Sequence, residues 1–163
     1  MVQMEEKLLN KEFKLPRWNE LPNVALYLDQ VLSLLDSYLS GVLPGRKSVL
    51  TKTMVNNYVK QKIIPPPVNK KYEKKTVAAL FLVACLKSTF AIPDIARLIA
   101  IAMNDRDMAV GYDAICDHME RCVKAAFAGG EGKSEGEAVD YLMERVADSF
   151  ACQLFVMKKH LNR

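Results

Sequence analysis

The stretch Val49-Leu50-Thr51-Lys52-Thr53-Met54-Val55-Asn56-Asn57-Tyr58-Val59-Lys60-Gln61-Lys62-Ile63-Ile64-Pro65-Pro66-Pro67 carries the strongest pattern in this chain. At 100° per residue, Met54, Val55, Tyr58 and Val59 fall on one side of a short helix. Lys52, Thr53, Asn56, Asn57 and Lys60 fall on the other. That outward set holds cations, amides and a hydroxyl but no carboxylate, which suits phosphates and the edges of bases. Thr51 is placed to cap the helix, and Tyr58, on the apolar side, is expected to pack. Three prolines then stop the helix, and Asn69-Lys70-Lys71-Tyr72 follows as a basic, hairpin-like segment.

Charge supports this reading by its distribution. Between Arg46 and Lys75 lie nine lysines and arginines against Glu73 alone, a net charge of +8 in a chain whose total is +4. The remainder is therefore mildly acidic. A solvated face normally mixes both signs, whereas a one-signed island is the footprint of a nucleic-acid surface. The expected contacts are Arg46, Lys47, Lys52, Thr53, Lys60, Lys70, Lys71 and Tyr72 to phosphates. Asn56 and Asn57 are the candidates for reading adenine through a bidentate amide. Five or six neutralised phosphates correspond to a salt slope of about −5.

Working outward, 163 residues make one domain, or a small head with a helical body. Half the residues are hydrophobic and 26% are charged, which is globular composition. No apolar run approaches the ~18 residues that span a bilayer, and the first residues lack a secretory layout, so a cytoplasmic chain is expected. Residues 1–20 read as a lead-in in which Trp18 caps the core. A first helix is predicted from Pro22 to Leu39, with apolar positions 24, 27, 28, 31, 34/35 and 38. Lys75–Lys87, apolar on nearly every side, is expected to be the central buried helix. The helical pattern restarts around Pro93 and Asp94. A longer helix runs from about Asp107 to Phe127, a glycine-rich loop spans Gly129–Gly136, and a last helix runs from Glu137 to about Leu161. The architecture is all-α or nearly so, with no strand longer than a short wing.

The run Leu50–Pro67 resembles the second helix and wing entry of MerR-type regulators, and Lys70-Lys71-Tyr72 is similar to the basic-basic-tyrosine of that wing. Val77–Phe90 and Ile92–Ile99 are similar to that family's third and fourth helices. More narrowly, Pro16-Arg17-Trp18, Leu26–Val31 and Thr53–Lys60 look like an uncharacterised bacterial family with such a head, a domain of unknown function. The resemblance covers residues 16–103. It implies a winged helix-turn-helix DNA-binding head, 51–62 as recognition helix and 65–72 as wing, usually in a dimer. Asn56 stands where MerR-type proteins carry an arginine. Lys62 replaces the glycine that normally ends the helix, so that turn is expected to close differently. The segment Leu26–Ser48 is longer than the family's corner, and residues 104–163 match no effector-binding half.

Other chemistry finds little support. Gly132-Lys133-Ser134 lacks the earlier glycine of a phosphate loop, since Phe127 stands there and no strand precedes it. His118 and His160 have no nucleophile in register, and Asp113, Asp117 and Glu120 read as a solvated edge. The four cysteines, Cys85, Cys116, Cys122 and Cys152, sit singly and read as buried small hydrophobes. No enzyme activity, metal or cofactor is expected. Two readings stand: a DNA-binding regulator that dimerises through residues 104–163, or an interaction module that kept the shape without binding DNA. The stripe Val139, Leu142, Met143, Val146, Phe150, Leu154, Met157 and Leu161 on the last helix favours a homodimer seam. No effector ligand is indicated.

Overall fold

The computed structural model describes residues 12–43, 48–103 and 107–161. The fold is helical apart from one two-stranded sheet. A 3₁₀ turn at Trp18–Glu20 precedes strand β1 (Leu26–Tyr27) and helices α1 (Leu28–Leu39) and α2 (Lys52–Lys60). Strand β2 (Lys71–Tyr72) leads into α3 (Lys74–Leu86), α4 (Ile92–Met103), α5 (Met108–Ala128) and α6 (Glu135–Lys159). By its contacts the chain divides into two compact units, one ending at Asp117 and the other beginning at His118. No described helix is long and apolar enough to cross a membrane.

The core of the first unit is built around α3. Val77, Leu80, Phe81, Leu82 and Val83 are buried, as an all-round apolar helix requires. Val31, Leu35 and Leu39 supply the buried stripe of α1, and Tyr38 meets Phe81 edge-to-face at 5.7 Å. Here the sequence expectation needs correction. The chain from Pro22 to Tyr27 is not helical: Leu26 and Tyr27 are extended and pair antiparallel with Tyr72 and Lys71. Val24 is therefore exposed, and the buried stripe falls on 31, 35 and 39. A local pattern cannot register that backbone donors of residues 26 and 27 are wanted by a strand some 45 residues later.

The lead-in is clasped to α5. Tyr112, fully buried, donates its hydroxyl to the Pro16 carbonyl at 2.9 Å, and its ring lies 6.2 Å from that of Trp18. The Trp18 amide donates to Asp113 at 2.7 Å, and Arg17 pairs with Asp117 at 2.7 Å. Asp113 and Asp117 are thus anchors rather than a solvated edge. The cysteine expectation also holds only in part. Cys116 is buried and Cys85 half-buried, but Cys122 and Cys152 are exposed.

In the second unit, α5 and α6 meet through Tyr141, whose hydroxyl donates to the Ala126 carbonyl at 2.6 Å. A side chain at Gly129 would collide with the Tyr141 ring, so glycine is required there for close approach. Ser134 precedes α6, and Glu137 accepts from both its amide (2.9 Å) and its hydroxyl (2.6 Å). No residue of α6 is buried.

Candidate nucleic-acid interface

Helix α2 begins where its sequence says it should. The Thr51 hydroxyl accepts from the Met54 amide at 3.2 Å. Upstream, Asp36 of α1 accepts from the Val49 amide at 2.8 Å, which ties the connection into α2 to the preceding helix. Val55 and Tyr58 are buried, so one face of α2 is anchored in the core. Burial also pushes the Tyr58 phenol up from its ordinary pKa. Lys52, Thr53, Asn56, Asn57 and Lys60 are exposed together, as expected. Met54, placed on the packing side by the pattern, lies at the edge of that face and is 37% exposed.

The end of α2 overturns the expectation for Lys62. The turn closes as it would with glycine, because Lys62 itself adopts the left-handed conformation, φ 58°. Its amide donates to the Val59 carbonyl at 3.0 Å, and the Ile63 amide to the Tyr58 carbonyl at 2.9 Å. This is the Schellman arrangement, with lysine where glycine is normal. The carbonyls at the helix end must be satisfied, and that requirement outweighs the cost of a left-handed lysine.

The basic hairpin shows the same feature. Val68 and Lys71 exchange both backbone hydrogen bonds at 3.0 Å, leaving Asn69 and Lys70 as a two-residue turn. Both have positive φ, 51° and 63°, which is the requirement of a type I′ turn. Glycine usually fills the second of these positions; here it is Lys70. Among the described residues, the positive-φ residues other than glycine are Lys62, Asn69 and Lys70. All three lie in the basic segment.

Helix α2 and the hairpin converge on the start of α1. Lys52 pairs with Asp29 at 2.8 Å, while the Lys71 ammonium sits 4.9 Å from the centre of the Tyr27 ring. Lys74 is held by Asn23 at 2.9 Å and lies 5.0 Å from the Trp18 ring. Lys60 and Lys70 are exposed, and no partner holds either of them among the described residues. Tyr72 is a correction: it is 4% exposed and belongs to the core, with its phenol pKa raised by burial, so it does not present itself to a phosphate. Arg46 and Lys47 lie outside the described residues. Sequence reasoning missed Tyr27 and Asp29 because it assigned Tyr27 to the buried stripe of a helix, whereas Tyr27 is 49% exposed.

No curated protein and no solved structure matches the chain. One family model does match, over residues 16–116, from the clasped lead-in through the first half of α5. That span is more than half the chain, and the protein belongs to the family defined by this domain of unknown function, DUF1836.

Proposed function

We propose that the chain binds double-stranded DNA as a transcriptional regulator, through a MerR-like winged helix-turn-helix surface with α2 as recognition helix and residues 65–72 as wing. The observation that carries this reading is the placement of Lys62 and Lys70 in left-handed backbone. A non-glycine residue there costs about 1–2 kcal/mol, and such strain concentrates at functional positions. Glycine would relieve it but would remove two ammonium groups from a segment of one-signed charge.

Two further features support the reading. The exposed side of α2 offers Asn56 and Asn57 between Lys52 and Lys60, so amides that can read bases are flanked by cations that can hold the backbone. The Asp36–Val49 and Thr51–Met54 bonds fix the start of α2 against the core, giving that face a defined orientation.

The deciding experiment is binding to random-sequence duplex across a salt series. Wild type should show a slope near −5, and Lys60→Ala/Lys70→Ala a slope shallower by about 2. These two lysines are chosen because neither side chain is held by a partner among the described residues. Absent or salt-independent binding at low salt would overturn the proposal. Asn56→Ala then separates reading from positioning, since only a base-reading amide changes sequence preference.

A further inference from the structure

Tyr27 stands where local rules favour a different residue. It is the N-cap of α1, a position that prefers serine, threonine, asparagine or aspartate because their short oxygens reach back to the helix amides. A phenol lies too far from the backbone for that, and the Tyr27 amide is instead bound by the Gln30 side chain at 2.9 Å. Nor is the ring part of the core, since half of the residue is exposed.

What the ring does touch is Lys71, whose ammonium sits 4.9 Å from its centre. The strand register explains the contact. Tyr27 is the cross-strand partner of Lys71, and Lys71 is also bridged to Val68. Cross-strand partners project to the same side, so Tyr27, Lys71 and Val68 make one row across the outer face of the small sheet. Leu26 and Tyr72 take the opposite face, on which Tyr72 is buried.

A ring holds a lysine differently from a carboxylate. Asp29 is paired with Lys52 at 2.8 Å and Glu73 with Lys75 at 3.2 Å, and in each pair one charge offsets the other. Among the described residues no ion pair holds Lys71. The quadrupole of the ring attracts the ammonium but carries no net charge, so Lys71 is restrained with its charge intact. An ammonium has three donors, and the ring covers one side of it, which leaves donors for a second acceptor. A lysine without such restraint loses rotamer freedom when it binds. Here part of that loss has already occurred in the folded chain.

We propose that Tyr27 is a positioning residue, which holds Lys71 ready for a phosphate of the duplex without neutralising it. This rests on the DNA reading above and adds to it a residue that acts through another side chain. Tyr27→Leu should weaken duplex binding about two- to fivefold while leaving the salt slope unchanged, because no cation is removed. Lys71→Ala should instead make the slope shallower by about 1. On the Lys71→Ala background, Tyr27→Leu should have no further effect. Tyr27→Phe keeps the ring, and Lys71→Arg keeps a cation on it, so both should bind as wild type does.

Leucine is as poor an N-cap as tyrosine, so the start of α1 is not further weakened. Tyr27→Val, suited to a strand, repeats the cycle should the leucine variant not fold. A second measurement needs no DNA. In the free protein, nuclear magnetic resonance should find the Lys71 ε-methylene protons shifted upfield by the ring, in wild type and Tyr27→Phe but not in Tyr27→Leu. An unshifted methylene, equal losses from Tyr27→Leu with and without Lys71, or a Tyr27→Phe as weak as Tyr27→Leu would overturn the positioning role while leaving DNA binding intact. A wild type that binds no duplex even at low salt would overturn the DNA reading and this role with it, whatever the resonance shows.

Discussion

Lys52 Nζ lies 2.8 Å from the Asp29 carboxylate, so a cation at the start of α2 is held by the first turn of the preceding helix. Both side chains are mostly exposed, and the pair contributes at most about 0.5 kcal/mol to stability. Its larger effect should be on binding, because Asp29 competes with a phosphate for Lys52. Asp29→Asn is expected to raise affinity for duplex DNA about three- to tenfold at low salt, with almost no change in urea midpoint. Fluorescence anisotropy on a labelled duplex measures it, and unchanged affinity would place Lys52 outside the interface.

Lys62 trades stability for charge if the interface is as proposed. Glycine at this position removes the left-handed strain but restores freedom to the unfolded chain, so Lys62→Gly should stabilise by a net ~0.5–1 kcal/mol in urea unfolding. The same variant should bind DNA more weakly. A gain in stability without any loss of binding would make the lysine incidental.

The clasp on α5 should be costly to break. Tyr112→Phe removes the buried hydroxyl that satisfies the Pro16 carbonyl and is expected to cost about 1–3 kcal/mol. Burial pushes the Tyr112 phenol far above its usual pKa, so this bond persists through alkaline conditions that ionise ordinary tyrosines. Thermal melts of the two proteins at neutral pH report the difference.

Thiol reactivity should divide the cysteines two and two. Burial, with a smaller contribution from Cys116, pushes the Cys85 thiol up to about 12, and Cys116 is itself buried. Cys122 and Cys152 are exposed. A chromogenic disulfide reagent should therefore titrate two thiols promptly in the native protein and all four in denaturant. Prompt reaction of Cys85 would mean the packing around α3 is looser than described.

The start of α6 should be sensitive to acid. The hydrogen bonds from the Ser134 hydroxyl and amide hold the Glu137 carboxyl below its ordinary pKa. A depressed carboxyl contributes stability above its unfolded value, and that contribution is lost as pH falls through the folded one. Helicity measured by circular dichroism should therefore begin to fall below about pH 4. Ser134→Ala should weaken this dependence; an unchanged profile would assign the loss to other carboxylates.

Much of the helical order was legible in the sequence. Thr51, the three prolines and the outward set of α2 are local signals, because capping, helix termination and a 3.6-residue period depend only on neighbours a few positions away. The near-continuous apolar character of α3 likewise announced its central position. Tertiary structure decided what depends on remote partners. Leu26 and Tyr27 became a strand because β2 takes up their backbone groups; Tyr72 became core because that pairing turns it inward. Lys62 and Lys70 entered left-handed backbone because a helix end and a two-residue turn each demanded it. Asp113 and Asp117 became anchors because the lead-in returns to α5. In each case the residue's own preference was smaller than the cost of leaving a backbone group or a buried face unsatisfied, and that cost is set by contacts the linear order does not display.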